Sequence, residues 1–232
     1  MPLEEGEIEL IEAAAQLPPA RIRDLLRAGI CHMDRAFDRY LPLDIQRLSN
    51  CHWTPLVVAR VAARWLDEVG AKTVVDIGSG PGKFCVAAAL ASRCEFLGLE
   101  HRGRLIHAAR ELAAVFEVPE RVHFVEGRLG DVELPQADAL YLFNPFGENL
   151  YGCDDWIDSE VELSDERYER DVAHVERMLR TAPVGSFLLT YNGFGGRIPW
   201  HYSEVRVDRA LPSVLRLWQR IRGPGEVGSH AA

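Results

Sequence analysis

The stretch best equipped for chemistry is VVDIGSGPGKF, residues 74–84. Gly78, Gly80 and Gly82 stand between a short β-branched run and a helical pattern. Glycines there let the backbone turn tightly and approach a ligand closely, and the helix that follows offers free N–H groups. A dinucleotide fingerprint needs G-x-G-x-x-G, and its third glycine would fall where Lys83 stands. A P-loop needs G-K-[ST], and Lys83 is followed by Phe84. Asp76 lies just before the loop, within the apolar run. Glu100 ends the next apolar run, about where an acid can accept both hydroxyls of a ribose. An acid, three glycines and a second acid in this register point to a nucleoside-bearing ligand. Upstream, His52, Trp53 and Thr54 precede the helix that leads into the first strand. His52 is a candidate base over the pocket, although a lone histidine is more often structural. Trp53 and Tyr191 are candidate pocket walls, with core packing the commoner use of each.

The elements that must hold these residues follow from hydrophobic periodicity. Residues 8–15 suggest a short first helix and Arg21 to Ala28 a second, stopped by Gly29. Thr54 and Pro55 read as an N-cap and first helical residue. The helix they open carries Leu56, Val58, Val61, Ala62, Trp65 and Leu66 on one face and closes at Gly70. Strand and helix then alternate. Strands are expected at 73–78, 95–100, 122–126, 139–143 and 186–191, and helices at 83–92, 103–116 and 164–180. Such alternation means a parallel sheet wound with helices on both faces. The runs at 202–207 and 214–221 are joined by DRALPS, too short for a crossover helix, so they predict an antiparallel hairpin.

Composition narrows the setting. The chain has 232 residues, 47% hydrophobic and 26% charged, which suits a globular fold and excludes a disordered or fibrous one. Its 26 basic and 35 acidic residues give a net charge of −9, which argues against a nucleic-acid partner. Only Lys72 and Lys83 are lysines; this arginine bias reads as compositional. Five cysteines, an odd number without C-x-x-C spacing, fit free thiols in a reducing cytoplasm. The start MPLEEGEIEL is acidic where a signal peptide needs basic residues, and no apolar run approaches a membrane span. A cytoplasmic protein without membrane partners is expected; oligomeric state is open.

On DIGSGPG (76–82), GLE (98–100), VHFVEG (122–127), YLFNPF (141–146) and the final hairpin, the chain resembles the class I S-adenosylmethionine-dependent methyltransferases. Residues 49–66 are similar to the lead-in of poorly characterised bacterial members. The resemblance implies an α/β fold: a doubly wound, mostly parallel seven-stranded sheet with a C-terminal antiparallel hairpin. It also implies a division into an N-terminal helical extension or lid (1–52), a cofactor domain (53–222) and a tail (223–232), taken as flexible. S-adenosyl-L-methionine is the implied cofactor and no metal is implied. Asp76, Gly78, Ser79, Gly80 and Gly82 would line its amino-acid portion, with Trp53, Thr54 and Asn144 also at the cofactor. Glu100 would bind the ribose, with His101 and Arg102 near the adenine edge. The acid that commonly follows the third strand's glycine is here Arg128, and Asp131 is the substitute.

In related amino-directed enzymes an Asn/Asp-Pro-Pro-aromatic motif follows the fourth strand, and Asn144-Pro145-Phe146 is similar with one proline. An Asn side-chain oxygen and a Pro carbonyl can accept two N–H bonds from an amine. A ring can pack on the substrate's flat or cationic part. The resemblance therefore implies transfer to an amine of a small molecule or peptide; an oxygen acceptor and a non-catalytic cofactor-binding or NAD-binding protein are the alternatives. Residues 152–166 carry Asp154, Asp155, Asp158, Glu160, Glu162, Asp165 and Glu166 without a basic residue. That block suggests a cationic acceptor, against the plainer reading of a solvated loop with acids at a helix N-terminus.

Overall fold

A computed structural model describes residues 16–150 and 156–222. The chain forms two compact units, one ending at Gly127 and the other beginning at Arg128. Seven strands make one sheet in the order β3-β2-β1-β4-β5-β7-β6.

Among the described residues of the first unit, four short helices come first: α1 (Pro19–Arg27), α2 (Asp34–Asp38), α3 (Leu43–Arg47) and α4 (Ser49–His52). There follow α5 (Leu56–Glu68), β1 (Thr73–Ile77), α6 (Lys83–Ala91), β2 (Glu95–Glu100), α7 (Gly103–Val115) and β3 (Val122–Glu126). β1 pairs with β2 and β2 with β3, all parallel, in a register that sets Asp76 opposite Gly98 and Glu100 opposite Glu126. Val74 to Ile77 are all buried, as a strand covered on both faces requires. α6 is buried along nearly its whole length, including Lys83 at its first position. A helix apolar all round belongs in the middle of a core. α5 begins one residue later than the sequence predicts. Pro55 is extended and makes no side-chain cap, and the Leu56 N–H donates to Asp34 Oδ1 at 2.9 Å. The cap comes from 22 residues upstream, so local sequence reasoning assigned it to Thr54.

The second unit contains β4 (Ala139–Phe143), a 3₁₀ turn (Gly147–Leu150), α8 (Asp165–Thr181), β5 (Phe187–Tyr191), β6 (Tyr202–Asp208) and β7 (Leu215–Arg220). β4 and β5 are parallel; β7 runs antiparallel to β6, as the short connection predicts, and also to β5. The Ser164 hydroxyl accepts the Arg167 N–H at 3.1 Å and so caps α8. Residues 8–15, where a first helix is expected, lie outside the described residues, as do residues 223–232. No helix of the described residues is long and apolar enough to cross a membrane.

Candidate functional site

The glycine loop leaves β1 and turns into α6 through three left-handed residues: Gly78 (φ 77°), Gly80 (φ 53°) and Gly82 (φ 74°). The Gly78 and Ser79 N–H groups both donate to Leu99 O, at 2.9 and 3.0 Å, which ties the loop to β2. Space also demands glycine. A β-carbon on Gly80 would lie 2.6 Å from the Trp53 ring, and one on Gly82 would lie 2.9 Å from Ala109 Cβ. Gly98 faces Ser79 in the same way, 2.6 Å from its hydroxyl. The Ser79 Oγ is buried and has no hydrogen-bond partner among the described residues.

Glu100 ends β2 with its carboxylate 6% exposed. Oε2 accepts the Gly80 N–H at 3.1 Å, and Oε1 accepts those of His101 and Arg102 at 2.8 and 2.9 Å. Burial pushes its pKa up, against the pull of those N–H groups and of Arg102. Arg102 is itself buried, at the N-cap of α7. His101 is partly exposed, with Nδ1 3.9 Å from Glu100 Oε1. Asp76 is buried below the loop and accepts the Cys85 S–H at 3.3 Å. Burial raises its pKa to about 7, partly offset by that hydrogen bond, and the Glu100 charge adds to the rise. Burial likewise pushes the Cys85 thiol up, and the Asp76 charge adds to it.

Trp53 and Thr54 are buried, and the Trp53 Nε1–H donates to Ile45 O at 2.9 Å. His52 is half-buried with its ring 5.8 Å from that of Trp53. Asp131, in the second unit, is exposed in a turn. Within the first unit a different acid closes the row: Glu126, level with Glu100, whose carboxylate lies 3.1–3.5 Å from the β-carbon position of Gly103. Sequence reasoning passed over Glu126 because it looked beyond the strand for the acid; two acids in register at neighbouring strand ends was the available signal. It also missed a polar cluster around Lys83. The Lys83 Nζ lies 2.8 Å from Asp34 Oδ1 and from Asp38 Oδ1, and 3.0 Å from Ser49 Oγ.

In the second unit, Asn144 turns the chain at φ 39°. Its N–H donates to Gly193 O at 2.9 Å and its carbonyl accepts the Gly147 N–H at 3.1 Å. Its carboxamide folds over the Gly147 α-carbon. Phe146 is 6% exposed, so its ring is packed away and does not present the open face expected of it. Tyr191 is buried with its ring 4.7 Å from that of Phe143. The run Asn192-Gly193-Phe194-Gly195-Gly196 follows β5. With Thr190, Arg216 and Trp218 it lines a cleft of about 280 Å³, which sequence reasoning did not anticipate. Of the acidic block, Asp154 and Asp155 lie outside the described residues. Asp158 accepts the Glu160 N–H at 3.0 Å, and Asp165 and Glu166 occupy the first turn of α8.

No family model matches the chain. No curated protein matches it. Solved structures do. An O-methyltransferase from Bacillus cereus in complex with S-adenosylhomocysteine aligns at a TM-score of 0.54 and 11% identity, over 80% of this chain and 90% of that one. The chain has a class I methyltransferase fold. An RNA methyltransferase from Salinibacter ruber, also with S-adenosyl-L-homocysteine, aligns at 0.51 and 18% identity, over 72% and 94%. TrmN from Thermus thermophilus aligns at 0.54 and 14% identity, over 76% and 52%. On this methyltransferase fold the glycine loop occupies the β1–α6 turn and Glu100 the carboxyl end of β2.

Proposed function

We propose that the protein is an S-adenosylmethionine-dependent methyltransferase. The observation that carries this reading is the meeting of Glu100 with Gly80: a buried carboxylate at a strand end, 3.1 Å from the N–H of a side-chain-free loop. The residues present suit the cofactor. Ser79 offers a buried hydroxyl without a partner among the described residues. The Glu100 carboxylate is aimed by three backbone N–H groups, ready to accept ribose hydroxyls. The loop brings backbone, and no side chain, to the ligand through Gly78, Gly80 and Gly82. Trp53 forms the wall above Gly80 with Thr54 next to it in the chain, His101 and Arg102 stand at the adenine edge, and Glu126 takes the place of Asp131 as the acid there. Asp76 acts from beneath, by supporting the loop.

The bound cofactor supplies a methyl group already activated on a sulfonium. The chain has to hold an acceptor close to it and in line, an effect worth about 7–11 kcal/mol. We assign that task to the Asn144-Pro145 turn, whose carbonyl and carboxamide oxygens suit an amine's N–H groups. His52 is the candidate base, since an amine must be neutral to attack. Oxygen is the second reading, favoured by the O-methyltransferase among the structural neighbours. The acidic residues 158–166 favour a cationic small molecule or peptide as acceptor.

Calorimetry with S-adenosylhomocysteine against NAD tests the cofactor. Binding of the first alone supports the proposal; binding of NAD alone overturns it. Methyl incorporation into fractionated metabolite and peptide extracts then separates an enzyme from a non-catalytic binder. Stability of the labelled product to mild base separates amines from esters.

A further inference from the structure

Lys83 is a buried cation at the junction of three chain segments. Its side chain is 2% exposed, and three oxygen groups surround the ammonium. Asp34 Oδ1 lies at 2.8 Å, Asp38 presents both carboxylate oxygens at 2.8 and 3.0 Å, and Ser49 Oγ lies at 3.0 Å. Ser49 in turn donates to Asp38 Oδ2 at 2.6 Å. Two carboxyl groups thus face one ammonium; burial raises the Asp38 pKa, with Lys83 pulling the other way.

Such a cluster is weak evidence for stability, because desolvation can cancel the attraction. Its connections say more. Lys83 stands three residues after Gly80, at the first position of α6. Ser49 stands four residues before Trp53, whose N–H donates to Ser49 O at 3.3 Å. Asp34 Oδ1 also accepts the Leu56 N–H, three residues after Trp53. Trp53 thus lies between Ser49, which is bound to the ammonium, and Leu56, whose N–H is held by the ammonium's partner Asp34. Its indole rests against Gly80, with the ring edge 2.6 Å from where a β-carbon would be. One of only two lysines in an arginine-rich chain does this. A compact ammonium directs three N–H bonds to three separate groups, whereas a guanidinium is a planar fork suited to one carboxylate.

We infer that Lys83 is a positioning residue for cofactor binding: it pins the Asp34–Ser49 segment to the glycine loop and so fixes Trp53 as the wall over Gly80. The inference rests on the loop being an S-adenosylmethionine site. Wild-type protein and the paired variant Lys83→Met/Asp38→Leu, which removes the cluster without leaving its most buried carboxylate unpaired, are labelled with 5-fluorotryptophan. Trp53 is assigned by Trp53→Phe. Calorimetry measures S-adenosylhomocysteine affinity, and ¹⁹F spectra report each indole.

The paired variant is expected to bind about tenfold or more weakly. Its Trp53 resonance should move toward the value of free indole while the other four hold. Wild-type affinity in a variant whose other four resonances are native overturns the inference. If the paired variant does not fold, Ser49→Ala removes one arm and keeps the ion pairs. There a weakening of about threefold with the same Trp53 shift supports the inference, and unchanged affinity overturns it. Wild-type protein that fails to bind S-adenosylhomocysteine overturns the cofactor reading and this inference together. Wild-type protein that binds while the variants match it overturns this one alone.

Discussion

Both oxygens of the Glu100 carboxylate accept backbone N–H groups, and the group is buried. Asn144 is placed differently. Its backbone hydrogen bonds shape a left-handed turn, and its carboxamide lies over Gly147 in a half-exposed loop. One region fixes a carboxyl group with the main chain; the other fixes the main chain and leaves a carboxamide at the turn, the proposed acceptor contact. A ligand common to a whole fold class can be held by the first device. A particular acceptor calls for the second, because loops change without disturbing the sheet.

The contrast breaks if Glu100 proves dispensable. Glu100→Ala removes the proposed ribose acceptor and strands three buried N–H groups. Hydrogen bonds to a charged group are worth about 1.5–3 kcal/mol each. S-adenosylhomocysteine affinity should therefore fall by about 100-fold or more in calorimetry. Glu100→Gln should lose less, since it keeps an acceptor oxygen. Affinity within threefold of wild type in the alanine variant would remove Glu100 from the site.

Gly80→Ala probes the same region through shape. The new methyl meets the Trp53 ring and sits at φ 53°, a left-handed conformation that costs a non-glycine residue about 1–2 kcal/mol. About 10- to 30-fold weaker binding is expected. Pairing it with Trp53→Ala should recover part of the loss, because the overlap goes and the strain stays.

The first region was legible because its signals are local and rigid. Gly78, Gly80, Gly82 and Glu100 fall where a strand–turn–helix–strand unit must place them, and both the left-handed φ values and the Gly80 contact follow. The hairpin was legible from the six-residue DRALPS link alone. The Lys83 cluster was not, because its partners lie 34 to 49 positions upstream and no period connects them. The α5 cap was hidden for the same reason, with Asp34 doing from a distance what Thr54 was expected to do. Phe146 was expected to pack on the acceptor, and its burial could not be read from the sequence, which shows residue type and not exposure.

Asp76 sharpens the comparison through pH. Its folded-state pKa, raised to about 7 by burial, exceeds the ordinary carboxyl value of 3.8. The folded protein then holds that proton more tightly than the unfolded chain. The resulting stability is full at low pH and declines as pH rises from about 4 to about 7. The raised pKa of Glu100 has the same sign. Thermal melts of Asp76→Asn should lose much of that slope between pH 5 and pH 7, by comparison with wild type. An identical slope in both proteins would mean that Asp76 is not the group that titrates.

Asn144→Gly tests the second region without disturbing its backbone. Glycine accepts the left-handed turn, so the bond from residue 144 to Gly193 O persists and only the carboxamide is lost. Affinity for S-adenosylhomocysteine should stay within about threefold. The rate of methyl incorporation should fall about tenfold, the size of a lost orienting hydrogen bond. Equal losses in binding and rate would place Asn144 with the cofactor instead.

The smallest effect belongs to the acids. Asp158, Glu160 and Glu162 lie in or beside a partly exposed loop, and Asp158 already holds the Glu160 N–H. Surface charges act at a distance that salt shortens to about 10 Å at 0.1 M. Replacing all three with amides should raise the apparent KM for a cationic acceptor about two- to threefold in low salt, with kcat unchanged. The difference should vanish near 0.5 M salt. A KM that stays the same across the salt series would confine these acids to local structure: an Asx turn at Asp158, and no part in acceptor capture.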